Sequence, residues 1–154
     1  MGIHRIVSQL TRRHGSNNPF IIAAQRNILV LFEPLGGIMG YFNTYKRIPM
    51  IHINNRLSEM DQRFTCSHEL GHAILHPKLN TPFLRRHTLV SIDRIEREAN
   101  EFAAELMIPD ELLLDGRSLV DIAKENGVPW EIALLKRPSA MKRFFRDEQS
   151  FLRI

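Results

Sequence analysis

The run His68-Glu69-Leu70-Gly71-His72 sets two histidines four residues apart with a glutamate directly after the first. On a helix, positions four apart stand one above the other on a single face, so both imidazoles can converge on one Zn²⁺. Glu69 lies beside that face, where a carboxylate can take a proton from activated water without ligating the metal. Two ligands and a general base are thus encoded in five residues, the minimum of a metal-dependent hydrolase. Seven His in 154 residues give such a match by chance in roughly 2% of chains, so the surrounding elements have to support it.

The helix that must carry the run is well signalled. Ser58, followed three residues later by Asp61, resembles a capping box, and no Pro interrupts the chain until Pro77, which ends the helix after His76. Gly71 costs about 1 kcal/mol of helix propensity relative to Ala, so it is expected to mark close packing against another backbone. His76 extends the histidine series by one more turn. It stands about 12 Å from His68 on a continuous helix, too far to share one ion, and reads as a C-terminal residue favoured by the helix dipole.

A catalytic zinc site needs a third protein ligand, and a second helix from Asp93 to about Met107 offers it. Its core stripe is Ile95, Ala99, Phe102, Ala103 and Leu106, with Asp93 and Glu96 as a start signal. At about 100° per residue, Glu96 and Glu98 lie on opposite margins of that stripe and Glu101 faces away, towards solvent. Periodicity alone leaves Glu96 and Glu98 open.

The block Phe64-Thr-Cys-Ser-His-Glu-Leu-Gly-His-Ala-Ile-Leu-His76-Pro77, followed by Glu96-Arg-Glu-Ala-Asn-Glu-Phe-Ala-Ala-Glu-Leu-Met-Ile-Pro109, resembles the ImmA/IrrE family of metallopeptidases. The likeness continues upstream through Gly40-Tyr41 and Ile51-His-Ile-Asn-Asn55 and covers roughly residues 16 to 137. In that family the glutamate that opens the E-A-N block is the third zinc ligand, which points to Glu98, with Glu96 as the fallback. The resemblance further implies one Zn²⁺ per chain and limited cleavage of a helix-turn-helix repressor that silences a mobile element, prophage or stress regulon. The extra C-terminal sensor domain of the longer, radiation-response members is not expected here, and the short mobile-element type is the closer likeness. A metalloprotease-like toxin held by a neighbouring antitoxin is an alternative within the same resemblance.

Composition suits one compact domain over residues 1–154: 44% hydrophobic, 25% charged, with a net charge of +4 and a pI near 9.6. Cys66 is the only cysteine, so no internal disulfide is possible and a reducing, cytoplasmic setting is expected. It points away from the His68 face and reads as a core residue. The apolar run Ile28 to Phe32 is too short to cross a membrane, and Met1-Gly2 has Ile6 where an acylation signal wants Ser or Thr. Membrane partners are therefore not expected.

Helical spacing of Ile3, Ile6, Val7 and Leu10 predicts a first helix closed by Gly15, and Asn18-Pro19 opens a second through about Gln25. Runs at Ile28 to Phe32, Ile38 to Phe42 and Met50 to Ile53 predict a small antiparallel sheet packed on helices. The expected class is α+β, zincin-like, with the H-E-x-x-H helix at its centre and a C-terminal helical hairpin. An edge of the strand Met50 to Ile53 could position a peptide by strand addition, and Tyr41 or Tyr45 could assist an oxyanion, although core or surface packing explains each tyrosine as well.

Ser118 to Leu135 reads as two short helices joined by a Gly127 turn, with the second opened by Pro129. This motivates a rival function, a DNA-binding regulator with Trp130, Lys136 and Arg137 near a recognition helix and Lys142, Arg143 and Arg146 on phosphates. Ile132, Ala133, Leu134 and Leu135 fall where base-reading side chains would be needed, so a packed hairpin is expected and direct nucleic-acid binding is not. The basic tail 138–154 follows, and the stretch from Lys136 to Arg153, with Phe144 and Phe145, offers a docking surface for a protein substrate, against the alternative of a solvated or packed helix.

Overall fold

A computed structural model describes residues 2–79 and 92–136. The tail 138–154 and the cationic residues Arg137, Lys142, Arg143 and Arg146 lie outside the described residues. The elements are α1 (Ile3–His14), α2 (Pro19–Gln25), β1 (Leu29–Glu33), β2 (Gly40–Tyr45), β3 (Ile48–Asn54), α3 (Glu59–Leu75), α4 (Ile92–Met107), α5 (Asp110–Leu114), α6 (Leu119–Glu125) and α7 (Trp130–Ala133).

Local chemistry sets most of these boundaries. Gly15 closes α1 in the left-handed region at φ 64°, where glycine carries no Cβ penalty. Asn18 Oδ1 accepts from the Phe20 amide at 3.0 Å to cap α2, with Pro19 in its first turn. Ser58 Oγ accepts from the Asp61 amide at 3.2 Å at the start of α3, and the helix stops at Leu75, ahead of Pro77. Glu96 is not a capping residue of α4, because its carboxylate is turned towards α3.

The sheet departs from the antiparallel expectation. Its order is β1-β3-β2, with β1 parallel to β3 and only β2 antiparallel to it. β3 takes the middle because it carries the most deeply buried pair, Ile51 and Ile53, which lie under the helices. Asn54 fixes the crossover: its Nδ2 donates to the carbonyls of Gly36 and Ile38, both at 3.0 Å, and its amide donates to Met39 O at 2.8 Å. The strand Met50 to Ile53 is thus interior, and β2 is an edge.

Helices α1, α2, α3 and α4 close over the inner sheet face around Leu10, Ile22, Phe42, Cys66, Leu70 and Phe102. Close packing at Gly71 is met by a side chain and not by a backbone, since a Cβ there would lie 3.1 Å from the Phe102 ring. A second cluster joins Phe64 and the end of α4 to α6 and α7 through Ile122, Val128 and Ala133. The C-terminal pair is therefore a packed hairpin. With α7 only four residues long, about 6 Å, the rival DNA reading lacks a recognition helix of useful length.

Among the described residues no helix is long and apolar enough to cross a membrane.

Candidate metal centre

The α3 spacing places both histidines as the sequence requires, with Nε2 of His68 and Nε2 of His72 3.2 Å apart. The third donor comes from α4. Glu96 Oε2 lies 3.0 Å from His68 Nε2, and Glu96 Oε1 lies 3.3 Å from His72 Nε2. Ligands about 2.0–2.1 Å from a tetrahedral zinc are about 3.3–3.4 Å from one another, so the donor set fits that ion.

The expectation for Glu98 is corrected by this geometry. Glu98 Oε1 pairs with Arg94 Nε at 3.3 Å and its Oε2 lies 3.6 Å from His76 Nε2, away from the pair His68 and His72. The two glutamates are separated by about 200° around the axis, so a single rotation of α4 can turn only one of them to α3. Burial of Ile95, Ala99, Phe102, Ala103 and Leu106 fixes that rotation. Glu101 is half-buried, not fully solvated, and burial together with Glu105 pushes its carboxyl up.

Electrostatics follow from the convergence. Burial pulls the His68 imidazole down, but the Glu96 hydrogen bond, the charges of Glu69 and Glu96 and the Asn100 hydrogen bond outweigh it and leave it above its ordinary value. His72 is completely buried, and burial together with its two histidine neighbours holds it below its ordinary value against Glu96. Burial pushes the Glu96 carboxyl up, but hydrogen bonds from His68 and His72 hold it far below the usual carboxylate range. An anionic carboxylate beside two imidazole nitrogens is the charge state a divalent cation needs.

Two further side chains brace the histidines, Asn100, which sequence reasoning left out, and His76, which it read only as a helix-end residue. His68 Nδ1 donates to Asn100 Oδ1 at 2.7 Å, and Asn100 stands one turn beyond Glu96 on α4, a spacing that could have revealed it. His72 Nδ1 and His76 Nδ1 share a hydrogen bond at 3.1 Å, which gives His76 a place beside the centre without making it a ligand.

Glu69 is 2% exposed and lies with His68 on the wall of a cavity of about 330 Å³, also bounded by Ile38, Met39, Phe64 and Asn100. Burial pushes the Cys66 thiol up, and the Glu69 charge adds to it, which makes Cys66 an inert core residue and not a reactive one. Neither Tyr41 nor Tyr45 lines the cavity: Tyr41 stacks on His52 at 4.1 Å between ring centroids, and Tyr45 is exposed.

A second cluster, unforeseen in the sequence, joins His4, Glu105 and Asp110. Here a cation is already supplied by the chain. Lys136 Nζ lies 2.7 Å from Glu105 Oε2 and 2.9 Å from Asp110 Oδ1, and is 1% exposed. Lys136 is thus neither a surface docking charge nor a group that a recognition helix could offer to DNA.

An α+β fold with two histidines of an H-E-x-x-H helix and one carboxylate in ligating distance defines a metallopeptidase-like protein. The family assignment agrees, since the IrrE N-terminal-like domain matches residues 23–136, and the chain belongs to the ImmA/IrrE family. It is 44% identical over 147 residues to "Uncharacterized immunity region protein 2" of Bacillus phage phi105, across 92% of this chain and 93% of the relative. It is 35% identical over 136 residues to "Metallopeptidase ImmA" of Bacillus subtilis (strain 168), across 83% and 79%.

Proposed function

We propose that this chain is a zinc endopeptidase that makes a limited cut in a DNA-binding repressor and so derepresses a mobile element, prophage or stress regulon. The observation that carries the reading is the convergence of His68, His72 and Glu96 beside the buried carboxylate of Glu69. His68, His72 and Glu96 would hold the ion. When bound, zinc supplies a Lewis acid that acidifies water and polarises a carbonyl.

The chain's own groups supply the rest. Glu69, held on the cavity wall, takes the proton of the attacking water and returns it to the leaving amine nitrogen. The peptide is expected to lie along β2, whose outer edge has no partner strand among the described residues and whose first residue, Gly40, lines the cavity. Gly40 lets β2 lie this close to β3 and α3, because a Cβ would meet His52 O at 2.5 Å and Thr65 Cγ2 at 2.6 Å.

A substrate that is a repressor is favoured by the relatives, one a metallopeptidase by name and one a protein of a phage immunity region. The test is incubation of the zinc-loaded protein with a helix-turn-helix repressor encoded beside it, with and without chelator. One or a few chelator-sensitive cuts are expected, with casein left largely intact. An uncut repressor under zinc-loaded conditions would overturn the substrate assignment.

A further inference from the structure

We propose that Asn100 works at both ends of its amide: Oδ1 positions the His68 ring for the metal, and Nδ2 donates to a main-chain carbonyl of the bound peptide. The inference rests on the metallopeptidase reading and extends it to a residue outside the ligand set.

His68 presents Nε2 to Glu96 and His72, at 3.0 and 3.2 Å. A metal held at Nε2 leaves the imidazole proton on Nδ1, which then can only donate. Its partner at 2.7 Å must therefore be the amide oxygen of Asn100, and that fixes which way the amide faces. The NH₂ group is turned away from His68. Among the described residues the bond to His68 is the one side-chain hydrogen bond of Asn100, and half-buried Asn100 lines the cavity that also holds Glu69.

Across that cavity stands the segment Gly37 to Gly40, which leads into the edge strand β2. Asn54 pins this segment through the carbonyls of Gly36, Ile38 and Met39, so the wall is formed before any peptide arrives. A peptide lying along β2 would run between that wall and α4, with every second carbonyl turned away from β2 and towards the side of Asn100. A neutral amide suits both duties, since a carboxylate in its place would orient His68 equally well but repel a carbonyl oxygen.

Asn100→Asp and Asn100→Ala separate the two roles. Zinc affinity is measured by competition with a chromophoric chelator. Carbonyl recognition is measured by calorimetry on the zinc-loaded protein with acetohydroxamate and with acetyl-leucyl hydroxamate, which adds one main-chain carbonyl. Asn100→Ala is expected to weaken zinc by about 10–100-fold, as loss of an outer hydrogen-bond partner does, whereas Asn100→Asp keeps the acceptor and restores it. Both variants are expected to lose about tenfold of the advantage of acetyl-leucyl hydroxamate over acetohydroxamate.

Wild-type zinc affinity in Asn100→Ala would overturn the positioning role, and an undiminished hydroxamate advantage in Asn100→Asp would overturn the donor role. Neither readout needs turnover. A wild-type chain that loads zinc but cuts no repressor would count against the proposed substrate alone, and one that takes up no zinc would remove the metal reading and this inference together.

Discussion

Glu96 and Glu105 stand about 13 Å apart along α4, and each brings a carboxylate to histidine, yet the two clusters are completed differently. At Glu105 the chain supplies its own cation, the buried ammonium of Lys136, which bridges Glu105 and Asp110. At Glu96 no lysine or arginine pairs with the carboxylate among the described residues, and its neighbours are the Nε2 atoms of His68 and His72. Glu105 is buried and Glu96 half-buried; a carboxylate drawn out of water gains from a compensating charge, and whether the fold provides it separates a structural cluster from one suited to a metal. Both clusters border a cavity, about 330 Å³ beside His68 and Glu69 and about 270 Å³ beside His4, Glu105, Asp110 and Lys136, so the resident ammonium and not the cavity makes the difference.

The largest effect is expected at Glu69. Glu69→Gln keeps the ligand set and should retain about one zinc per chain while losing about 10³-fold or more of its turnover, since it deletes the base alone. His72→Ala should lose both zinc and turnover. Metal analysis beside repressor cleavage checks this, and wild-type turnover in Glu69→Gln would end the proposed mechanism.

Next comes the contrast within α4. Glu96→Ala is expected to weaken zinc by about 100-fold or more, beyond what loss of an outer partner costs, while Glu98→Ala stays within a few fold. Chelator competition decides, and the reverse order would return the third ligand to Glu98. The His68 value, raised above that of an ordinary imidazole, makes its proton compete with zinc from a higher pH than a free histidine's would. Affinity for zinc should therefore begin to fall above the ordinary histidine range as the solution is acidified, and a flat profile down to pH 5 would contradict it.

At the other cluster the expected effect is on stability and not on metal. Glu105→Ala strands much of the charge of Lys136 and should cost about 3 kcal/mol, the lower end for a broken buried pair because Asp110 remains. The double change Glu105→Leu with Lys136→Met should recover much of that loss. Urea unfolding measures both, and zinc content should not move; a large loss of zinc in Glu105→Ala would mean that the two clusters are coupled.

Gly71→Ala is the smallest. The gain in helix propensity, about 1 kcal/mol, is opposed by a Cβ 3.1 Å from Phe102, so a change within about 1 kcal/mol is expected. A loss above about 3 kcal/mol would show that the contact between α3 and α4 has no room to adjust.

Local signals were legible in the sequence by themselves. Gly15, Asn18-Pro19, Ser58 and Pro77 set helix ends through backbone chemistry within a few residues, and all four act where the sequence places them. The pairing of His68 with His72 is equally local, because a helix of fixed period determines it. Choosing Glu96 over Glu98 is not local. It depends on how α4 is rotated against α3, which the burial of Ala99, Phe102 and Ala103 decides, with Phe102 packed against Gly71.

The sheet order is likewise tertiary. Three apolar runs with turns between them fit a meander as well as β1-β3-β2, and the long-range bonds of Asn54 to the segment 36–39 accompany the second. The cluster of His4, Glu105, Asp110 and Lys136 gathers from both ends of the described chain and has no spacing that a sequence could show. Short-range backbone geometry repeats with a known period and can be read along the chain, whereas the contacts that select one glutamate, one strand order and one resident ammonium exist only once the elements are packed.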